Sequence, residues 1–185
     1  MTQEERTLAL AMEIANDLAA HGIPSAVIGA VAVAVRGYPR GTEDLDLAVC
    51  TDLGSLRVIA RELEGRGYSV TLGEPDADDP LGGVLTVETS DADPIQIVNY
   101  ANPYKPGSGA LASEAVATAV PRLLQQLAVV DLAHLIALKL YAGGPKSILD
   151  VSELLARNPD ADRNAIRNVC ERFGLAPEWD ALTAQ

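Results

Sequence analysis

Residues 44–50, Asp-Leu-Asp-Leu-Ala-Val-Cys, constrain this chain more tightly than any other segment. Polar and apolar side chains alternate at its start, the period of a β-strand with one buried face. Leu45, Leu47 and Val49 share the face that turns to a core. Asp44 and Asp46 share the other, roughly 7 Å apart from the strand rise. Two carboxylates side by side repel one another unless a cation lies between them. Oxygen ligands on a rigid strand suit Mg²⁺ or Mn²⁺, with water and phosphate oxygens completing the shell. An Asp-x-Asp at a strand start is, taken alone, commonly just a solvated face, so the surrounding sequence decides.

That surrounding sequence reads as a mixed α/β chain. Aromatic residues make up 4% of the 185 residues and apolar residues 48%, so the core is built from Ala, Val, Leu and Ile. Residues 2–20 carry Leu8, Met12, Ala15 and Leu18 at helical spacing, with Gly22 as the stop. A short strand at 25–28 runs through Gly29 into a short helix at 30–35. After the strand at 44–50 come a helix from Asp52 to about Gly65, a strand at 68–72 and an acidic loop at 74–83. Strands at 83–89 and 94–100 follow, joined by a Ser-Asp-Ala-Asp turn. Residues 101–109 read as a mobile connector. Three helices are expected at 131–142, 145–156 and 161–173. This predicts a core over residues 1–125, with a mixed β-sheet flanked by helices, and a C-terminal helical region over 126–185 packed on it.

Charge and hydropathy exclude several classes. The formal charge of −12 opposes a broad grip on duplex nucleic acid, which rewards clustered Lys and Arg. The longest apolar run, 23–35, is interrupted by Pro24, Ser25 and Gly29, which predicts no membrane span. Acidic residues near the N-terminus are unlike a secretory signal, and a cytoplasmic protein is expected. Cys50 and Cys170 lack metal-ligand or redox spacing and read as free thiols.

Gly29 precedes Asp44 by fifteen residues. A strand that enters a helix through glycine lets backbone approach a ligand closely and aims first-turn N–H groups at an anion. With the carboxylates, Gly29 and Ala30 would set an anion-binding turn beside a metal. The run from Ile28 to Val49 resembles the signature of the DNA polymerase β-like nucleotidyltransferase superfamily: Gly-[Gly/Ser], a spacer, then Asp-x-Asp. The form Arg40-Gly-Thr42-Glu-Asp44-Leu-Asp46 is similar to the AbiEii-type toxin nucleotidyltransferases of bacterial toxin–antitoxin systems. Ala30 stands where the family carries Gly or Ser.

In residues 131–155, Lys139 falls between Leu132, Leu135 and Ile136 on the apolar stripe of a helix. Its stem either snorkels to the edge or carries the ammonium into a cleft. With Asp150 it resembles the Leu-x-x-x-Lys-Leu-x-Ala … Asp-x-x-x-Leu segment of AbiEii-like enzymes. The resemblance implies a nucleotidyltransferase fold and transfer of a nucleotidyl group from an NTP to a hydroxyl. It implies Asp44 and Asp46 as metal ligands, and Lys139 and Asp150 as further catalytic residues, Asp150 orienting or accepting a proton. Gly29, Ala30, Arg40 and Thr42 are the expected nucleotide-binding set. The acceptor is open among a tRNA end, a protein and a small-molecule hydroxyl, and the family implies a cognate antitoxin as a partner. The third carboxylate of the fold aligns with Gln96, or with Val98, and neither is acidic; this leaves a nucleotide- or protein-binding chain with little turnover as the alternative. Asp91 and Asp93 read as turn residues, and His134 as a partly exposed helix residue.

Overall fold

The computed structural model describes residues 1–184. Helix α1 (Gln3–Ala20) starts at a capping box: the Glu5 N–H donates to the Thr2 hydroxyl, and the Thr2 N–H donates to the Glu5 carboxylate. Its buried stripe of Leu10, Ala11, Ile14 and Leu18 packs on the sheet. The chain then forms β1 (Ala26–Val27), α2 (Gly29–Val35), β2 (Leu45–Val49), α3 (Leu53–Gly65), β3 (Ser69–Gly73), β4 (Val84–Glu88) and β5 (Ile95–Asn99). It continues through α4 (Ala110–Ala117), β6 (Val120–Leu124), β7 (Leu127–Val129), α5 (Leu132–Ala142), α6 (Gly144–Arg157), α7 (Arg163–Arg172) and α8 (Ala176–Thr183).

The seven strands form one mixed sheet in the order β3-β4-β5-β2-β1-β7-β6. Strand β2 lies near its middle, antiparallel to β1 and parallel to β5, with Asp46 opposite Gln96. Leu45, Leu47 and Val49 are buried as their period requires. Ala48 is buried too, because α1 and α4 both pack on β2. Within the strand Asp46 alone stays partly open, as does Asp44 just before it.

Several local expectations change. Residues 110–129, which carry no clear period, form α4 and the β6–β7 hairpin. Strand β7 pairs in parallel with β1, so the chain re-enters the sheet beside the glycine turn before its last helices begin. The connector at 101–109 is pinned rather than mobile. Asn102 is buried and donates to the carbonyls of Asp76 and Asp79, and Ser108 donates to Pro80. Asp93 is more than a solvated turn residue: its N–H donates to Thr7 and its carboxylate accepts from Thr7 and Gln3, tying α1 to the β4–β5 turn. Among the described residues no helix is long and apolar enough to cross a membrane.

His134 is buried, not partly exposed, because it joins three helices. Its Nδ1 lies 2.7 Å from Asp131, which caps α5, and its Nε2 lies 3.1 Å from Glu114 of α4. Glu114 also receives Arg172 of α7. The hydrogen bond to Asp131 raises the His134 pKa above 6.5, against the effect of burial. Burial would raise Asp131, but the bonds from His134 hold it down at about 2. A neutral imidazole has one N–H and can donate to only one of the two carboxylates. The stabilisation is therefore complete below pH 6.5 and is lost as pH rises through the raised His134 value. The wild-type melting temperature should fall across that window. His134→Gln should melt lower at pH 6 and lose this portion of the slope, which a thermal-melt series against pH will measure.

Candidate active site

Asp44 and Asp46 meet different surroundings although they share one face of β2. Both oxygens of Asp44 are engaged. Thr42 donates to Oδ1 at 2.8 Å, and the Gln96 amide donates to Oδ2 at 3.0 Å. Gln96 therefore occupies the neighbouring-strand position where the sequence pattern places a third carboxylate, and its side chain points at the pair. Val98 lies one step further along, opposite Ala48.

Asp46 receives no side-chain hydrogen bond among the described residues. Burial, then the charge of Asp44, raises its pKa from 3.8 to about 6, against opposing pulls from Lys139, Arg40 and Lys146. The β1–α2 turn closes directly over it. Gly29 has φ +64°, and a Cβ there would lie 1.8 Å from Asp46 Oδ2. Only glycine meets both the left-handed backbone and the contact. Ile28 N–H donates to the Asp46 carbonyl at 3.0 Å, which fixes the turn against the strand. Ala30 is buried in the first turn of α2. The first-turn N–H groups of a helix lack intrahelical acceptors.

The C-terminal helices add the cationic side. Asp150 of α6 is 1% exposed. Its Oδ2 accepts from Lys139 Nζ at 2.8 Å, and Arg40 grips it through two bonds of 2.9 and 3.1 Å. Burial would raise this carboxyl, yet the bonds from Lys139 and Arg40 hold it below the usual range. Lys139 thus neither snorkels to solvent nor stands free. It lines a cavity of about 210 Å³ with Gly29, Asp46, Tyr100 and Ser147. Burial and the charge of Asp46 push the Tyr100 phenol well above its ordinary value.

The structure thus brings Gly29, Asp46 and Lys139 to one cavity and joins Lys139 to Asp150 and Arg40. Thr42 reaches Asp44. The hydroxyl of Thr42 and the guanidinium of Arg40 are committed to carboxylates, so they order the loop before β2. Sequence reasoning missed Lys146 and Ser147, at the start of α6. Lys146 is exposed, with no ion pair among the described residues, yet close enough to act on Asp46. The signal available was the Gly143-Gly144-Pro145 break, which starts a new helix immediately after Lys139. No group of three or more His, Cys, Asp or Glu that could hold a metal occurs among the described residues. A cation here would rest on two carboxylates and draw its other ligands from a substrate and water.

Because the folded chain keeps a proton on Asp46 that the unfolded chain releases, stability falls as pH rises from about 4 through about 6. Asp46→Asn should abolish that fall. In metal-free buffer at pH 7.5 it should stabilise the chain by roughly 2 kcal/mol. Urea denaturation at pH 4.5 and 7.5 measures both effects.

No protein-family model matches the chain. No curated protein matches it either. Solved structures do. The chain is similar to the antibiotic-resistance factor ANT(2'')-Ia, at 16% identity and a TM-score of 0.54, covering 99% of this chain and 97% of that one. The structure of ANT(2'')-Ia in complex with adenylyl-2''-tobramycin matches at 15% identity and a TM-score of 0.52, covering 89% and 95%. An antigenic nucleotidyltransferase-like protein from Paracoccidioides brasiliensis matches at 13% identity and 0.53, covering 98% and 93%. These likenesses run the length of the chain at low identity, and the chain has the nucleotidyltransferase fold.

Proposed function

We propose that the chain is a metal-dependent nucleotidyltransferase that moves a nucleotidyl group from an NTP to a hydroxyl. The observation that carries this reading is Asp46: a half-buried carboxylate without a donor among the described residues, next to Asp44 and beneath the Gly29 turn, in this fold. Such a pair fits a divalent cation, which neutralises the repulsion that raises Asp46 and polarises phosphate oxygens when bound. Asp44 and Asp46 would hold the metal, with Thr42 orienting Asp44. The backbone of Gly29 and Ala30 receives phosphate oxygens. Lys139 and Lys146 supply positive charge to the triphosphate, and Asp150 and Arg40 keep Lys139 in the cleft. Residues 1–125 then carry the carboxylates and the turn, and residues 126–185 the lysines. In the transfer, the acceptor oxygen bonds to the α-phosphorus and the α–β bridging P–O bond breaks. Pyrophosphate leaves, and the hydroxyl proton passes to solvent.

Asp150 is an unsuitable proton acceptor, since two cations hold its carboxyl deprotonated. Gln96, beside Asp44, has no basic group. That contact favours a second reading, in which the chain binds nucleotide with little turnover. General-base help is worth about 10²–10⁴ in rate, so slow basal transfer is expected.

Calorimetry with each NTP in Mg²⁺ should show binding that Asp46→Asn removes. Lys146→Ala should weaken binding about tenfold without moving the melting temperature. Lys139→Ala should weaken binding and also destabilise, on the order of 2 kcal/mol, because Asp150 loses a partner. Gln96→Asp should raise transfer of label from an α-labelled NTP. Metal-independent binding, or fast transfer that Gln96→Asp leaves unchanged, contradicts this assignment of roles.

A further inference from the structure

Gln96 pairs in register with Asp46 on one side and Thr86 on the other, yet its amide crosses to Asp44. Ile95 and Ile97, fully buried on either side of it, fix the face on which it stands. Its Nε2 donates to Asp44 Oδ2 at 3.0 Å, while Thr42 holds Oδ1 at 2.8 Å. Turning the amide over would offer its oxygen to a cation, but would lose this bond and set lone pairs against lone pairs. The hydrogen bond therefore keeps a donor, not an acceptor, facing the carboxylate pair.

This donor set is uneven. Two divalent ions about 3.5–4 Å apart need oxygens that bridge them and oxygens that close the far side of each. Asp44 and Asp46 could bridge, but the neighbouring strand offers an amide N–H where a closing carboxylate would be needed. The other acids near the pair are committed. Asp150 is held by Lys139 and Arg40, and Asp93, which lines a cavity with Asp44, is held by Gln3 and Thr7. Charge points the same way. Two carboxylates balance one divalent cation, and a second would be repelled by the first and by Lys139, which shares the Asp46 cavity. Even one near-octahedral ion on two carboxylates must take most of its shell from phosphate and water.

We propose that Gln96 makes this a one-cation site. Its amide holds Asp44 in place of a second divalent ion, and the site fills with a single ion only when a triphosphate supplies further oxygens. Gln96 is thus a positioning residue that sets the metal count. This inference rests on the nucleotidyltransferase reading, and its test separates the two.

The test is equilibrium dialysis of the full chain against Mn²⁺, with and without a non-hydrolysable ATP or UTP analogue. Enough salt is present to suppress counter-ion retention by a chain of charge −12. Retained manganese and retained analogue are both counted, so free metal–nucleotide complexes cancel across the membrane. The wild-type chain is expected to retain one Mn²⁺ per analogue, and at least tenfold less Mn²⁺ without it. Its low-temperature electron paramagnetic resonance spectrum should be that of an isolated ion. Gln96→Glu, nearly isosteric, and the shorter Gln96→Asp should supply the closing carboxylate. At least one of them should retain two Mn²⁺ per analogue with a spin-coupled spectrum. Two ions on the wild-type chain overturn the proposal, as does equal retention of Mn²⁺ without the analogue. So does a count of one in both variants when they are folded. Retention of the analogue with two ions defeats the one-cation inference alone. Retention of neither metal nor analogue, or of the analogue without metal, defeats the nucleotidyltransferase reading itself.

Discussion

A carboxylate with 1% of its surface exposed must be paired, and the pairing of Asp150 is what joins the two halves of the site. Arg40 comes from the loop before the carboxylate pair, Lys139 from α5 and Asp150 from α6. Removing either cation leaves a buried charge with fewer partners, which costs far more than a surface ion pair contributes. The three residues therefore hold the helical region against the loop that presents Asp44. They fix Lys139 in the cleft at the same time. A single electrostatic knot serves both the packing and the placement of the Lys139 ammonium.

The carboxylate pair is held by the opposite strategy. Asp46 has neighbours that crowd it, the turn at Gly29 and the charge of Asp44, and nothing that donates to it among the described residues. Its charge is disfavoured in the metal-free chain. The site is fixed in place by β2, buried at Leu45, Leu47, Ala48 and Val49, and by the Gly29 turn against Asp46. Asp44, by contrast, is satisfied from both sides by Thr42 and Gln96. One carboxylate is preset in orientation and the other is left without a donor among the described residues.

Much of this was legible in the sequence, for reasons that differ by residue. The strand at 44–50 follows from its period, and the glycine turn from its position between a strand and an apolar helix. Gln96 aligns by strand register alone. The β6–β7 hairpin was not legible, because Val120–Leu124 contains Pro121 and the positive-φ residue Arg122 in place of a clean alternation, and Gln125, in the turn after it, also has positive φ. The burial of His134 depends on Glu114 and Arg172, distant in sequence and adjacent only once α4, α5 and α7 pack. The pairing of Arg40 with Asp150 likewise spans 110 residues and leaves no local signal. Roles that depend on one element show in the sequence; roles that depend on the meeting of three do not.

The central proposal is that Asp44 and Asp46 would hold a divalent metal beside a nucleoside triphosphate. The most direct measurement is anomalous diffraction from crystals grown with Mn²⁺ and a non-hydrolysable NTP analogue. The account predicts a manganese peak in ligand contact with oxygens of both carboxylates and with phosphate oxygens of the analogue beside Gly29. An analogue bound elsewhere, or bound in the cleft with no manganese between Asp44 and Asp46, would contradict it.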